Sequence, residues 1–471
     1  PTEEHKYNRK VISKNFIAKE SKTDTTYYYS CSCGKIGTDT FKISKEDPTK
    51  HNLELLDLNV TCDCLDYPAI FSCSDCDDWF VDSLLNHDLN MPILNLKGEL
   101  SNVSKDDKKK ISCDYISKDE SFECDATIKH QGNASLNYPK KNYSIQFFKP
   151  DTDYDKKYKV EFFKGCGKQS KYCLKADYAD DSHIKNLFGA DLARQIINDL
   201  DVKDDISNLP NKGVVDGFPV ILYENNVFYG LYNLVIPKDK WLFQMDTDEE
   251  LRTAIVTTEG GEVGTFSGLA NYDYSNGLDL EFCSTEDDDS IDDSWVVDSF
   301  NNIIRTVIDC DDESFKNEIN KYISIERTID LIIETLAGAG YDNIWHNIIF
   351  TTYDGVKWYP SMYDMDLMFS NVTSDQDIKI ENNLLFKRIL SCYKDEIADR
   401  YFQLRETILK KDSIANTINN RINKILYPAI LSDSTLWKVP YSKSTFINIS
   451  KIISTRVDNR LTYLDSIFTV N

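Results

Sequence analysis

The sequence of 471 residues lacks any apolar run approaching the roughly 20 residues that a bilayer-spanning helix takes, so no membrane span is expected. It also lacks net positive charge. Lys and Arg number 54 against 78 Asp and Glu, a formal charge of 54 − 78 = −24 with pI near 4.7. Phosphate backbones ask for a net basic surface, so nucleic acid is not an expected partner. No G-x-S-x-G and no H-E-x-x-H occurs, and no nucleophile has an evident base beside it. Paired carboxylates abound but build no glycosidase motif. No internal repeat of the solenoid or propeller type is found. Apolar residues are not lacking: 41% of the chain is hydrophobic, with 27 Tyr and 23 Phe, too much for a disordered polymer. The length suits two or three domains. The first residue is Pro1 rather than Met, from which a processed or excised piece is expected.

The 13 cysteines are uneven. Cys31, Cys33, Cys62, Cys64, Cys73, Cys76, Cys113 and Cys124 lie in the front quarter, and the others are scattered. A clustered, Cys-rich front end suits disulfides and a secreted protein. Cys62-x-Cys64 and Cys73-x-x-Cys76 are spaced unlike a regular pair of zinc half-sites, and their surroundings are acidic. Disulfides are therefore expected there rather than metal. His5, Cys31 and Cys33 together offer three ligands where a structural zinc takes four, so a disulfide or plain turn is expected there too.

Residues 1–46 read as a small β module with strands at Val11–Phe16, Tyr27–Ser32 and Thr38–Ile43, and residues 47–89 read as a Cys-rich linker. From residue 90 to 471 the pattern is one α+β domain. Strands are expected at Ile93–Leu96, Ser121–Lys129 and Lys141–Phe148, with a helix at His183–Leu200. A hairpin is expected over Phe218–Ile236, turning at Asn225-Asn226. Residues 286–293 carry six acids and read as a solvated loop. Asp151-Thr-Asp153-Tyr-Asp155 starts like a calcium loop, but Lys156 and Phe162 stand where glycine and the bidentate Glu belong. Helical periods follow at Ile325–Gly338, Ile380–Tyr393, Asp395–Lys410, Ile414–Tyr427 and Phe446–Phe468.

The most informative segment is Ile333–Ser370. A helix leads into Asp342-Asn-Ile-Trp-His-Asn347, then a tight hairpin turning at Asp354-Gly355, then Tyr363-Asp364-Met-Asp366. Protein kinases use the order helix, Asp-x₄-Asn, hairpin, Asp. Phosphoryl transfer explains why. A carboxylate must orient the attacking hydroxyl and take its proton. A hard divalent cation wants oxygen ligands, which an amide five residues on and a carboxylate after the hairpin can supply. In Lys141-Asn-Tyr143-Ser-Ile145-Gln-Phe147 the period of two puts Lys141 on the apolar face, where an unpaired charge needs a partner such as nucleotide phosphate. Lys140 falls on the polar face and is expected to be solvated. Gly132-Asn-Ala-Ser135 precedes this strand and could bring backbone N–H groups to phosphates. His346 is expected to hydrogen-bond within its loop, leaving base duty to Asp342.

Four ordered blocks resemble the spore-coat CotH kinase family over about residues 90–470. They are Gly132-Asn-Ala-Ser135 with Lys140-Lys-Asn-Tyr143-Ser-Ile-Gln-Phe147; Leu174-Lys-Ala-Asp-Tyr178 with Asp180, Ser182 and Asn186; Tyr229-Gly-Leu-Tyr232; and Asp342 with His346-Asn347 and Tyr363-Asp364-Met-Asp366. The resemblance implies a protein-kinase-like fold of two lobes, β-rich (about 90–245) and helical (about 246–471). It implies Asp342 as catalytic base and Asn347 as a magnesium ligand, with Asp364, Asp366 or both completing the metal site; the alternation and turn read above add Lys141, Gly132 and Ser135 at ATP. The implied reaction moves the ATP γ-phosphate to Ser or Thr of an extracellular or cell-surface protein, and the acidic surface favours a basic substrate. Some relatives are cell-surface binding proteins, so a non-catalytic adhesin or scaffold is the competing expectation. Departures cluster at the nucleotide end: Gln131 replaces an Arg, Lys185 another, and Asn233-Leu-Val-Ile236 stands where an acid usually follows. Residues 1–46 resemble short Cys-Gly extracellular modules through His5, Tyr28, Tyr29, Cys31, Cys33, Gly34, Gly37, Thr38 and Phe41.

Overall fold

Strands from Ile93 onward, several of them buried on both faces, close into one barrel. In the computed structural model the barrel joins β7 (Ile93–Lys97), β8 (Lys109–Ile116), β9 (Ser121–Gln131), β10 (Asn142–Phe148), β11 (Lys171–Lys175), β12 (Gly217–Glu224) and β13 (Val227–Val235). The strand order around it is β10-β11-β13-β12-β7-β8-β9. Only β12 and β7 pair parallel; the other neighbours are antiparallel. Closure leaves no sheet edge. The structure describes residues 5–8, 10, 14–31, 35–46, 51, 53–58, 69–81, 91–225, 227–248, 250–259, 266, 278–285, 293–370, 378–438 and 448–468. Cys33, Cys62, Cys64 and most of the acidic 286–293 stretch lie outside them.

A second sheet, β15-β14-β16-β17, is built from β14 (Ala254–Glu259), β15 (Leu278–Cys283), β16 (His346–Thr352) and β17 (Trp358–Met362). Ten helices are described: α1 (Lys185–Asp199), α2 (Asp205–Asn208), α3 (Ser294–Asp309), α4 (Asp312–Glu318), α5 (Ile325–Gly338), α6 (Leu384–Cys392), α7 (Lys394–Glu406), α8 (Lys411–Ile422), α9 (Tyr427–Trp437) and α10 (Ile449–Ile467). The chain is thus α+β, and one continuous apolar core runs from the barrel into the helices. Helix α5 matches its expected span because its apolar stripe, the Ser324 cap on Arg327 N–H and the left-handed Ala339 all agree.

The front end departs from expectation. The first strand begins after the expected Val11–Phe16, at β1 (Ile17–Glu20), and pairs with β2 (Asp24–Ser30) and then β3 (Ile36–Ser44). Described parts of the expected linker form a second three-stranded sheet, β4 (Leu53–Leu58), β5 (Ala69–Cys73) and β6 (Trp79–Val81). Helices α6, α7 and α8 are shorter than their periods because polar caps and turns cut them, as Asn383 does by accepting from Phe386 N–H.

Candidate active site

The helix α5 ends at Ala339 in the left-handed region, where Gly340 N–H closes on the Thr335 carbonyl. Arg460 of α10 donates to the freed Leu336 carbonyl from the far side. This stop throws Asp342 into a short turn ahead of β16. Asp342 then holds the residues four and five positions on: Asn347 Nδ2 donates to Oδ2 at 2.9 Å, and His346 Nδ1 lies 3.2 Å from Oδ1. The His346 bond within the loop is the expected one. The Asp342 carboxylate beside it, despite partial burial, pushes the His346 pKa up from its ordinary value.

Strand pairing brings the second motif alongside the first. Ile348 sits opposite Met362, and Tyr363 N–H donates to the Asn347 carbonyl at 2.9 Å. Asn347 and Asp364 both take left-handed backbone angles, φ 59° and 54°, although neither is glycine. Such strain persists where surrounding contacts over-determine it. Those contacts are present: Asn343 Nδ2 donates to the Tyr363 carbonyl, and Met365 N–H donates to Asn186 Oδ1 from α1. Asn186 belongs to the second sequence block, so blocks far apart in the chain are fastened here.

The lysine facing this motif is Lys175, at the end of β11. Its Nζ lies 3.0 Å from Asp364 Oδ2 and 5.3 Å from the centre of the Tyr363 ring. Burial opposes its charge, but Asp364 outweighs that and holds the pKa well above the ordinary lysine value. Burial, reinforced by the neighbouring Asp364, pushes Asp366 well above the usual carboxylate range. Asp364, Asp366 and Lys175 line one cleft, two carboxylates to one amine. The carboxylate oxygens fit a hard divalent cation, which Asp364 and Asp366 would hold; Asn347, expected beside them, is tied to this loop through its carbonyl, and its side-chain amide donates to Asp342. The cleft is small, about 20 Å³, and is lined by Ser135, Tyr138, Lys175, Tyr178, Asp364 and Asp366 among others.

Lys141 does not face this motif. Its amine is spent on the Leu136 and Tyr138 carbonyls, 2.6 and 2.5 Å away. The strand starts at Asn142, so the alternation that put Lys141 on the inner face does not extend to it. Lys140, expected in solvent, is buried and pairs with Asp433 at 2.8 Å. The signal for Lys175 was present in the sequence, as a lysine between the apolar Leu174 and Ala176, but its partner only shows once β11 faces the 364–366 loop. Ser135 lines the cleft, and Gly132, with φ 95°, packs against it, so that Ser135 Oγ occupies the place a Gly132 Cβ would take. Lys185 keeps an ion pair, to Asp181 at 3.0 Å. Asn233, where an acid was expected, instead donates to Asp177 Oδ2 and the His183 carbonyl.

No curated protein matches the chain. A family model described as CotH kinase protein matches residues 128–464, which is 337 of 471 positions (464 − 128 + 1) and takes in every residue of the site. The match carries the barrel strands from β10 on, the α1 anchor and the Asp342 and Asp364 loops together, and by it the chain belongs to the CotH kinase family.

Proposed function

We propose that this chain is a magnesium-dependent protein kinase that moves the γ-phosphoryl group of ATP to a Ser or Thr hydroxyl of an extracellular or cell-surface protein. The observation that carries the reading is the convergence of Lys175 on Asp364, beside a loop in which Asp342 and Asn347 are held five residues apart. Barrel and helical part act as two lobes, with the nucleotide in the cleft between them. Asp342 orients the substrate hydroxyl and accepts its proton as the oxygen bonds to phosphorus and the bond to ADP breaks. Lys175 meets phosphate oxygens, and the Gly132–Ser135 turn covers them. A magnesium ion at Asp364, Asp366 and Asn347 supplies charge neutralisation of the phosphates. The excess of 78 acids over 54 bases favours a basic substrate, steered by the field of the whole protein, and the Cys-rich front end favours a secreted protein.

The test is transfer of labelled phosphate from ATP to a basic Ser/Thr peptide mixture. Asp342→Asn should abolish it while circular dichroism stays unchanged; undiminished transfer by that variant refutes the assignment. A non-catalytic surface adhesin is the second reading. It is favoured by Gln131, whose buried Oε1 has no hydrogen-bond partner where the family has an Arg. The two separate on thermal shift: a ligand at one hundred times its Kd stabilises by about 2.7 kcal/mol. A rise in Tm with Mg-ATP supports the kinase, and none at millimolar Mg-ATP supports the adhesin.

A further inference from the structure

Outside the family match, the front end brings one histidine and two cysteines together. Strand β4 pairs antiparallel to β5 with Leu53 opposite Cys73. His51, two residues ahead of Leu53, therefore lies beside the turn that follows Cys73. That turn is Ser74-Asp-Cys76-Asp, closed by Cys73 N–H donating to the Asp78 carbonyl at 3.0 Å. It returns Cys76 toward Cys73. The ligating atoms of His51, Cys73 and Cys76 all lie within 4.8 Å of one another.

We propose that His51 Nδ1, Cys73 Sγ and Cys76 Sγ bind a zinc ion that staples this sheet. The distances fit the metal. Zn–S of about 2.3 Å and Zn–N of about 2.05 Å at the tetrahedral angle put sulfur and nitrogen about 3.6 Å apart. Cys76 Sγ and His51 Nδ1 are 3.6 Å apart. The outer contacts fit as well. Asp75 N–H donates to Cys73 Sγ at 3.4 Å, the kind of backbone bond that supports a thiolate carrying negative charge. The other ring nitrogen of His51 faces Glu46, Nε2 to Oε2 3.8 Å, so a carboxylate stands ready to orient the imidazole. Phe80, fully buried, packs on the His51 ring with centroids 4.5 Å apart.

Elsewhere in the front end Phe41 and Ile43 form a small cluster with Tyr27, Tyr29 and Trp79 around them, while Cys73 and Phe80 join the main core. A metal ion here would add a cross-link between the approach to β4 and the turn from β5 to β6. Thiolate and imidazole together suit zinc over magnesium or calcium. Binding displaces the two thiol protons to solvent and changes no oxidation state. These are three of the four ligands a zinc takes, as at His5, Cys31 and Cys33, but here their ligating atoms are already gathered, and solvent completes the tetrahedron. The sequence alone had favoured disulfides here, because the irregular Cys62-x-Cys64 spacing hid a histidine donor eleven residues upstream.

The test uses the full chain, reduced, stripped with chelator and titrated with Co²⁺ and then Zn²⁺ in excess Mg²⁺, which fills the acidic site. One equivalent should bind with a thiolate-to-cobalt charge-transfer band, displaced by zinc. Cys76→Ser and His51→Ala should each weaken binding by more than the 10–100-fold typical of an outer-contact loss, and Glu46→Gln by about tenfold. Cys76→His should keep one equivalent of zinc with a weaker thiolate band, which guards against simple misfolding of the serine variant. Asp364→Asn should change nothing. The proposal is overturned by absence of the band, by a band unaltered in both Cys76 variants, or by a Cys73–Cys76 disulfide, seen as loss of two hydrogens in the peptide map, in protein prepared without reductant.

Discussion

Lys140 and Asp433 stand 293 positions apart in sequence and form an ion pair of 2.8 Å with both side chains fully buried. Lys140 enters from the start of β10; Asp433 comes from α9. The amine also donates to the Ala176 and Leu231 carbonyls, and Asp433 accepts from Leu231 N–H and faces His183 Nε2 at 3.2 Å. Burial works against the Asp433 charge, but Lys140 and His183 hold its pKa down at about 2. The pair locks the barrel to the helices just behind the cleft.

Removing one partner leaves the other charged and unpaired. Lys140→Met should therefore cost about 3–5 kcal/mol in denaturant unfolding. Replacing both, as Lys140→Met with Asp433→Leu, should recover most of that loss. A single variant as stable as the wild type contradicts the buried pair.

Lys175 of the second block and Lys141 of the first separate the roles. Lys175→Met should lower phosphate transfer about 10²–10³-fold, the scale of losing one charged contact to a developing anion. Lys141→Met should leave transfer near wild type, because its amine serves only loop carbonyls. The reverse ranking in a kinetic assay places the nucleotide at Lys141 instead.

His346 gives the site a pH signature. Its hydrogen bond to Asp342 raises its pKa in the folded chain. A raised value means the stabilisation is fully present below the unfolded pKa, about 6.5, and is lost as pH rises through the folded value. Comparing wild type with His346→Gln, the Tm gap should be wider in acid than in base. Transfer should rise with pH as His346 releases Asp342, and the variant should flatten that rise. A gap that does not change with pH removes the pair from the titration.

Cys113 and Cys124 face each other across β8 and β9, Sγ atoms 3.3 Å apart and buried. A secreted chain should carry them joined. Peptide mapping without reductant should find the linked pair, and recovery of both free thiols from material exported by its host argues against an oxidising compartment.

The period of two in β10, the helical stripe of α5 and the Asp354-Gly355 turn are local rules, and the structure keeps all three. The same local order put Asp342, Asn347, Asp364 and Asp366 into one short stretch, so the acidic half of the site was legible before any folding. The lysine was not. Lys140, Lys141 and Lys175 differ only in which neighbour the barrel brings to each: Asp433 to the first, loop carbonyls to the second, Asp364 to the third. Those neighbours lie 293, 5 and 189 positions away along the chain.

Sequence by itself determined the α+β class, the family and the order of the Asp342 and Asp364 loops, because each depends on spacing along a few turns of chain. Tertiary structure decided which amine meets the carboxylates, that Asn233 donates to Asp177, and that His51 meets Cys73 and Cys76. The physical reason is the same in each case. A buried charge or a metal ligand is defined by the partner that closes its shell, and strand register and barrel closure, rather than sequence spacing, bring that partner within 3 to 4 Å.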